Sequence, residues 1–146
     1  MFEKILLATD GSPDAKQALA YARDLALRDS AQVIIVHAFK PVPTYLGDPW
    51  QERIIARNVA AAEEVANEAA QELRKAGLDP TIEVLEGPPA DAILRVADVR
   101  HCDLIVMGCR GHSVLTSLLV GSVSHRVLAH ARVPVLIVRA TEPETN

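Results

Sequence analysis

Residues 103–138 read DLIVMGCRGHSVLTSLLVGSVSHRVLAHARVPVLIV. Asp103–Met107 (DLIVM) is short, apolar and bounded by an acid and a glycine, the pattern of a fully buried strand. Ser122–Ala131 predicts a helix, and Pro134–Arg139 (PVLIVR) a second buried strand. Strand, loop, helix, strand means a crossover between parallel neighbours. The loop between them holds Gly108 and Gly111 and ends at Gly121, three of the chain's seven glycines.

The same alternation extends back to the start. Lys4–Thr9 (KILLAT) predicts a first strand, ended by Asp10-Gly11-Ser12-Pro13. Ser12 before Pro13 is an N-cap followed by a proline at the first helical position. Ala15, Ala18, Leu19, Ala22, Leu25 and Ala26 then recur at helical spacing, giving a helix over 13–29. Gln32–Ala38 (QVIIVHA) is a second strand. KPVPTYLGDPW, residues 40–50, reads as a loop. A long helix follows over Gln51–Ala76, with Ile54, Ala61, Val65, Ala69 and Leu73 on one stripe and Gly77 as its stop. Thr81–Leu85 is a third strand and Ala90–Arg100 a helix. The last residues, 140–146, read as a frayed polar tail. Five apolar strands separated by four helices predict an α/β fold: an open, doubly wound, Rossmann-like parallel sheet with helices on both faces. Its 146 residues predict a single domain over 1–146. Ligands in such sheets sit beyond the carboxyl ends of the strands, where strand order reverses. That directs attention to Thr9 and Asp10, to Ala38, and to Met107 and Gly108.

Composition excludes several function classes. Hydrophobic residues make up 49% and charged residues 23%, ordinary for a globular protein. A formal net charge of −4 and only 3% aromatic residues argue against a nucleic-acid partner, which needs a basic face or stacking platform. No apolar run approaches the roughly 18 residues of a membrane span. MFEKILLATDG at the start is no secretion signal, so cytoplasm is the expected location. Cys102 and Cys109 have neither C-x-x-C nor zinc spacing and read as reduced thiols.

The glycine loop suggests anion chemistry. Glycine permits close backbone approach, and the helix opening at Gly121 presents the unpaired N–H groups of Ser122, Val123 and Ser124. The hydroxyls of Ser122 and Ser124 add donors, and Arg110 and His112 add cationic or polar groups. G-x-x-x-x-G-K-[ST] and G-x-G-x-x-G are both absent. On physical grounds alone, turn-making glycines and a helix-capping serine remain an equal alternative.

Gly108-x-x-Gly111, nine residues, then Gly121-Ser122 resembles the G-2x-G-9x-G-[ST] motif of the nucleotide-binding branch of the universal stress proteins. KILLATDGS, VHA, EGPPADAIL, DLIVMGCRG, LLVGSVSHRVL and PVLIV resemble that family in the family's order, over nearly the whole chain. The resemblance implies sheet order 3-2-1-4-5. It implies ATP as ligand, with any Mg2+ or Mn2+ held through the phosphates. Asp10 would lie near the nucleoside, the backbone of Ala38 at the adenine, and Gly108, Gly111, Gly121 and Ser122 at the phosphates. It further implies a homodimer through the last strand, Val133–Val138, and an unknown downstream protein. Cys109 departs from a frequent serine, and Ala38 is smaller than the usual aliphatic residue.

No base–nucleophile pair is visible, with His112 and His125 as the histidines nearest the phosphates. The expectation is an ATP-binding regulatory stress-response protein with weak hydrolysis at most. The alternatives are a dimeric interaction module binding AMP, cyclic AMP or no nucleotide, and a slow ATPase or phosphotransferase.

Overall fold

A computed structural model describes residues 1–41, 47–109 and 120–140. The elements are β1 (Lys4–Ala8), α1 (Pro13–Asp29), β2 (Gln32–Phe39), α2 (Trp50–Lys75), β3 (Thr81–Glu86), α3 (Pro89–Val99), β4 (Leu104–Gly108), α4 (Ser122–His130) and β5 (Val135–Val138). Arg110, Gly111, His112, residues 42–46 of the 40–50 loop and all but residue 140 of the expected tail lie outside the described residues.

The five strands form one parallel sheet in the order β3-β2-β1-β4-β5. β1 is central, with Ile5 opposite both Val33 of β2 and Leu104 of β4. The inner strands β1, β2 and β4 read as near-continuous apolar runs because both faces are covered, whereas edge strand β3 (TIEVLE) has no buried residue. Ile5, Leu7, Val33, Ile35, Leu104 and Val106 pack under α1 and α2. Their alternates Leu6, Ala8, Ile34, Val36, Ile105 and Met107 pack under α3 and α4. Ile5, Leu6, Leu7, Ile35 and Ile105 are wholly buried. Each such side chain contributes roughly 1.5–3 kcal/mol of transfer free energy.

α1 begins as its sequence predicts. Ser12 is the N-cap, and its wholly buried hydroxyl accepts the Ala15 N–H at 3.2 Å. α2 ends in a Schellman motif: Leu78 N–H donates to Leu73 O (3.1 Å) and Gly77 N–H to Arg74 O (3.0 Å). Gly77 takes φ +91°, which favours glycine.

The buried face of α2 corrects the expected stripe. Ala61 is exposed, and Ala62, Ala66, Ala69, Ala70 and Leu73 are buried. A stretch with alanine at so many positions has several apolar stripes of nearly equal weight. Close packing on β2 and α1 selects among them.

Candidate functional site

β1, β2 and β3 run outward in one direction, while β4 and β5 lie on the other side of β1. The chain therefore leaves β1 and β4 toward opposite faces, α1 covering one and α4 the other. Between them, at the carboxyl ends of β1, β2 and β4, is a cleft of about 410 Å3. That is within the size range of small-molecule sites.

One wall is apolar. Val36, Ala38, Ile93 and Met107 line it. Ala38 and Val36 face the same way because strand side chains alternate with period two. Pro89 and Ile93 reach the cleft together, one turn apart on α3.

The turn after β1 forms the polar middle. Thr9 N–H donates to Val36 O at 3.0 Å, and His37 Nδ1 lies 2.7 Å from Thr9 O. Ser12 N–H donates to Asp10 Oδ1 at 2.9 Å, and Gly11 N–H to Thr9 Oγ1 at 3.2 Å. Asp10 thus braces the turn into α1 and is also one of the residues lining the cleft.

The far wall is the start of α4. Gly121 is its N-cap, at φ −72° and ψ 168°, and offers no side chain to the helix amides. Gly121 N–H donates to Cys109 O at 2.8 Å, which seats the helix start against the end of β4. Ser122, Val123 and Ser124 line the cleft. Ser124 differs from expectation. Its buried hydroxyl lies 2.9 Å from both Gly108 O and Cys109 O, so its single proton serves the wall of the cleft and is not presented to a ligand.

Gly108 also has a role the sequence did not display. A Cβ there would stand 2.8 Å from Asp14 Cβ and 2.9 Å from Ala15 N. Its missing side chain lets α1 approach β4. His125, expected near the anion side, is exposed on α4 and is not part of the cleft lining among the described residues.

Sequence reading had not singled out Lys40, His37 or Ile93 as cleft residues. Stepping two residues in either direction from Ala38 would have found Val36 and Lys40. Ile93 comes from an element whose place over the cleft only the crossover settles. Cys109 is buried, as is Cys102 at the opposite end of the sheet, where burial pushes the thiol up to about 11.

The family profile described as "Universal stress protein family" matches residues 1–139. This chain belongs to the universal stress protein family. A Thermus aquaticus universal stress protein, named for the QAH/OAS sulfhydrylase 3′ region, is 45% identical over 139 residues, 95% of this chain and 100% of that one. Among solved structures, hypothetical protein MJ0577 superposes with a TM-score of 0.88 at 25% identity, covering 98% of this chain and 99% of that one. A universal stress protein crystallised in complex with cAMP superposes with a TM-score of 0.76 at 26% identity, covering 96% and 99%. The strand order that the resemblance implied is the one observed in this universal stress protein.

Proposed function

We propose that residues 1–146 act as one nucleotide-binding unit whose cleft takes ATP, in a regulatory protein of the stress response. The base lies against Ala38, Val36, Ile93 and Met107, the ribose beside Thr9 and Asp10, and the phosphates against α4. There the amides of Ser122, Val123 and Ser124 and the Ser122 hydroxyl donate, with Gly108 and Gly121 admitting the chain closely. Arg110, Gly111 and His112 are assigned to the phosphate side on the motif alone. A divalent cation, Mg2+ or Mn2+, would be held through phosphate oxygens.

One observation carries this reading. The first turns of α1, α2 and α3 contain Asp14, Glu52 and Asp91, whereas that of α4 contains no acid. An acid in the first turn complements the helix dipole from within the chain. Among the described helices, the one start without it opens onto the cleft, behind a glycine cap, and is the place left for an external anion.

The sheet edge at β5 supports self-association. Val135, Leu136 and Ile137 are half-buried, and among the described residues the strand pairs only with β4. A second copy pairing along Val133–Val138 would satisfy that edge. No catalytic base is assigned, and hydrolysis is expected to be slow at most.

Titration calorimetry with ATP, ADP, AMP and cyclic AMP tests the reading, followed by chromatography of ATP over hours. Micromolar ATP binding without turnover is the expected result. Rapid ADP formation would instead make the protein an ATPase, and absence of heat with ATP would remove ATP as its ligand. Cyclic AMP is included because a relative was crystallised with it.

A further inference from the structure

Asp14 is the one carboxylate buried among the described residues, at 5% exposure, and nucleotide binding as proposed above does not use it. It sits in the first turn of α1, against Gly108 at the end of β4. Its Oδ1 accepts the N–H of Ala140 at 2.8 Å, across 126 residues of chain. Ala140 lies two residues past β5, where the chain leaves the sheet.

β5 has four residues and, among the described residues, a single neighbouring strand, and three of its side chains are half-buried. A short edge strand of that kind opens locally unless its end is held. The bond to Asp14 holds it, and the contacts lead on to the cleft. Gly108 is in register with Val138, and Cys109 N–H donates to Val138 O at 2.8 Å. Cys109 O in turn accepts Gly121 N–H at 2.8 Å and the Ser124 hydroxyl at 2.9 Å. The exit of β5, the start of α1 and the start of α4 therefore meet around Gly108–Cys109.

We infer that Asp14 is a positioning residue that locks the exit of β5 to the wall of the cleft, coupling ligand occupancy at α4 to the order of Val138–Ala140. The inference rests on the nucleotide reading of the cleft. A ligand that needs Cys109 O and Gly108 in their present places is bound better when β5 is seated. By reciprocity, the bound ligand holds β5 seated. The edge strand is also the proposed pairing surface, so Asp14 would carry occupancy to the place where a second copy docks.

Amide hydrogen exchange read residue by residue, with and without ATP, tests this on the whole chain. In the wild type, ATP is expected to slow exchange at Ala140 by about fivefold or more. Edge amides exchange through local opening, so ligand binding that merely stabilises the whole fold would leave Ala140 unchanged. Asp14→Ala is expected to speed exchange at Ala140 about tenfold and to abolish its ATP dependence, while Ile5–Leu7 stay protected. Asp14→Asn, which keeps an oxygen able to accept from Ala140, is expected to retain both properties. ATP binding to the wild type without any change at Ala140 overturns the coupling, and this holds even if Asp14→Ala fails to fold. Faster exchange throughout the Asp14→Ala core, or persistent ATP dependence at Ala140 in that variant, overturns it as well. Lack of ATP binding to the wild type is a distinct result, which removes the nucleotide reading and this coupling together.

Discussion

Two helices start at the carboxyl end of the sheet, on its opposite faces, and they are finished differently. α1 is complete within the chain: Ser12 caps it, Pro13 opens it, and Asp14 supplies a negative charge in its first turn. α4 has a glycine cap, no acid in its first turn, and the cleft in front of it. Both obey the same rule, that the first amides of a helix need partners. α1 has a side-chain cap of its own, and α4 has no side-chain cap bond among the described residues. Among the helix starts of an α/β sheet, the one its own sequence leaves without an acid or a side-chain cap is the place to look for a bound anion.

The two motif glycines beside these starts should break in opposite ways. Gly108→Ala would place a Cβ 2.8 Å from Asp14 Cβ and 2.9 Å from Ala15 N, and should cost about 3 kcal/mol of stability in denaturant unfolding. Gly121→Val meets no backbone strain at φ −72° and should keep the unfolding midpoint while losing ATP binding in calorimetry. A midpoint unmoved by Gly108→Ala would mean that α1 does not depend on this close approach.

Giving α4 the acid it lacks sharpens the contrast. Ser122→Asp should weaken ATP binding about 100-fold, roughly 2.7 kcal/mol, because a carboxylate would face the phosphates. The same change should raise thermal stability slightly, since it complements the helix dipole. Affinity unchanged by Ser122→Asp would place the phosphates elsewhere.

Removing the cap that α1 owns is the converse. Ser12→Ala should cost about 1 kcal/mol in denaturant unfolding and leave ATP affinity within about twofold. The smallest effect belongs to Lys40, an exposed cation at the rim of the cleft. Lys40→Gln should lower ATP affinity about threefold at low ionic strength, and the difference should vanish at high salt because exposed charges are screened. A loss that persists at high salt would mean a direct, desolvated contact.

Much of this was legible locally. The strands announced themselves because a sheet covered on both faces needs unbroken apolar runs, as in KILLA and LIVMG. Ser12-Pro13 marked a helix start for a reason contained in those two residues. The motif drew attention to Gly108, Gly121 and Ser122, and all three border the cleft. Residues whose role depends on a distant neighbour were illegible. Asp14 drew no notice in the sequence, because the Ala140 N–H that it accepts lies 126 residues away. Ser124 looked like a phosphate donor until two strand-end carbonyls were found within reach. Ala61 looked as suitable for burial as Ala62, and its composition held nothing to separate them.

From its amino acids alone this protein had settled its elements, its fold class, its family resemblance and the loop to examine. Periodicity, capping and turn chemistry act over a few residues and can be read along the chain. Tertiary structure decided which face of α2 is buried, which helix start lines the cleft through its first turn, and why position 108 admits no side chain. Those outcomes depend on groups brought together across the sheet, and their distances are set by packing, which linear order does not encode.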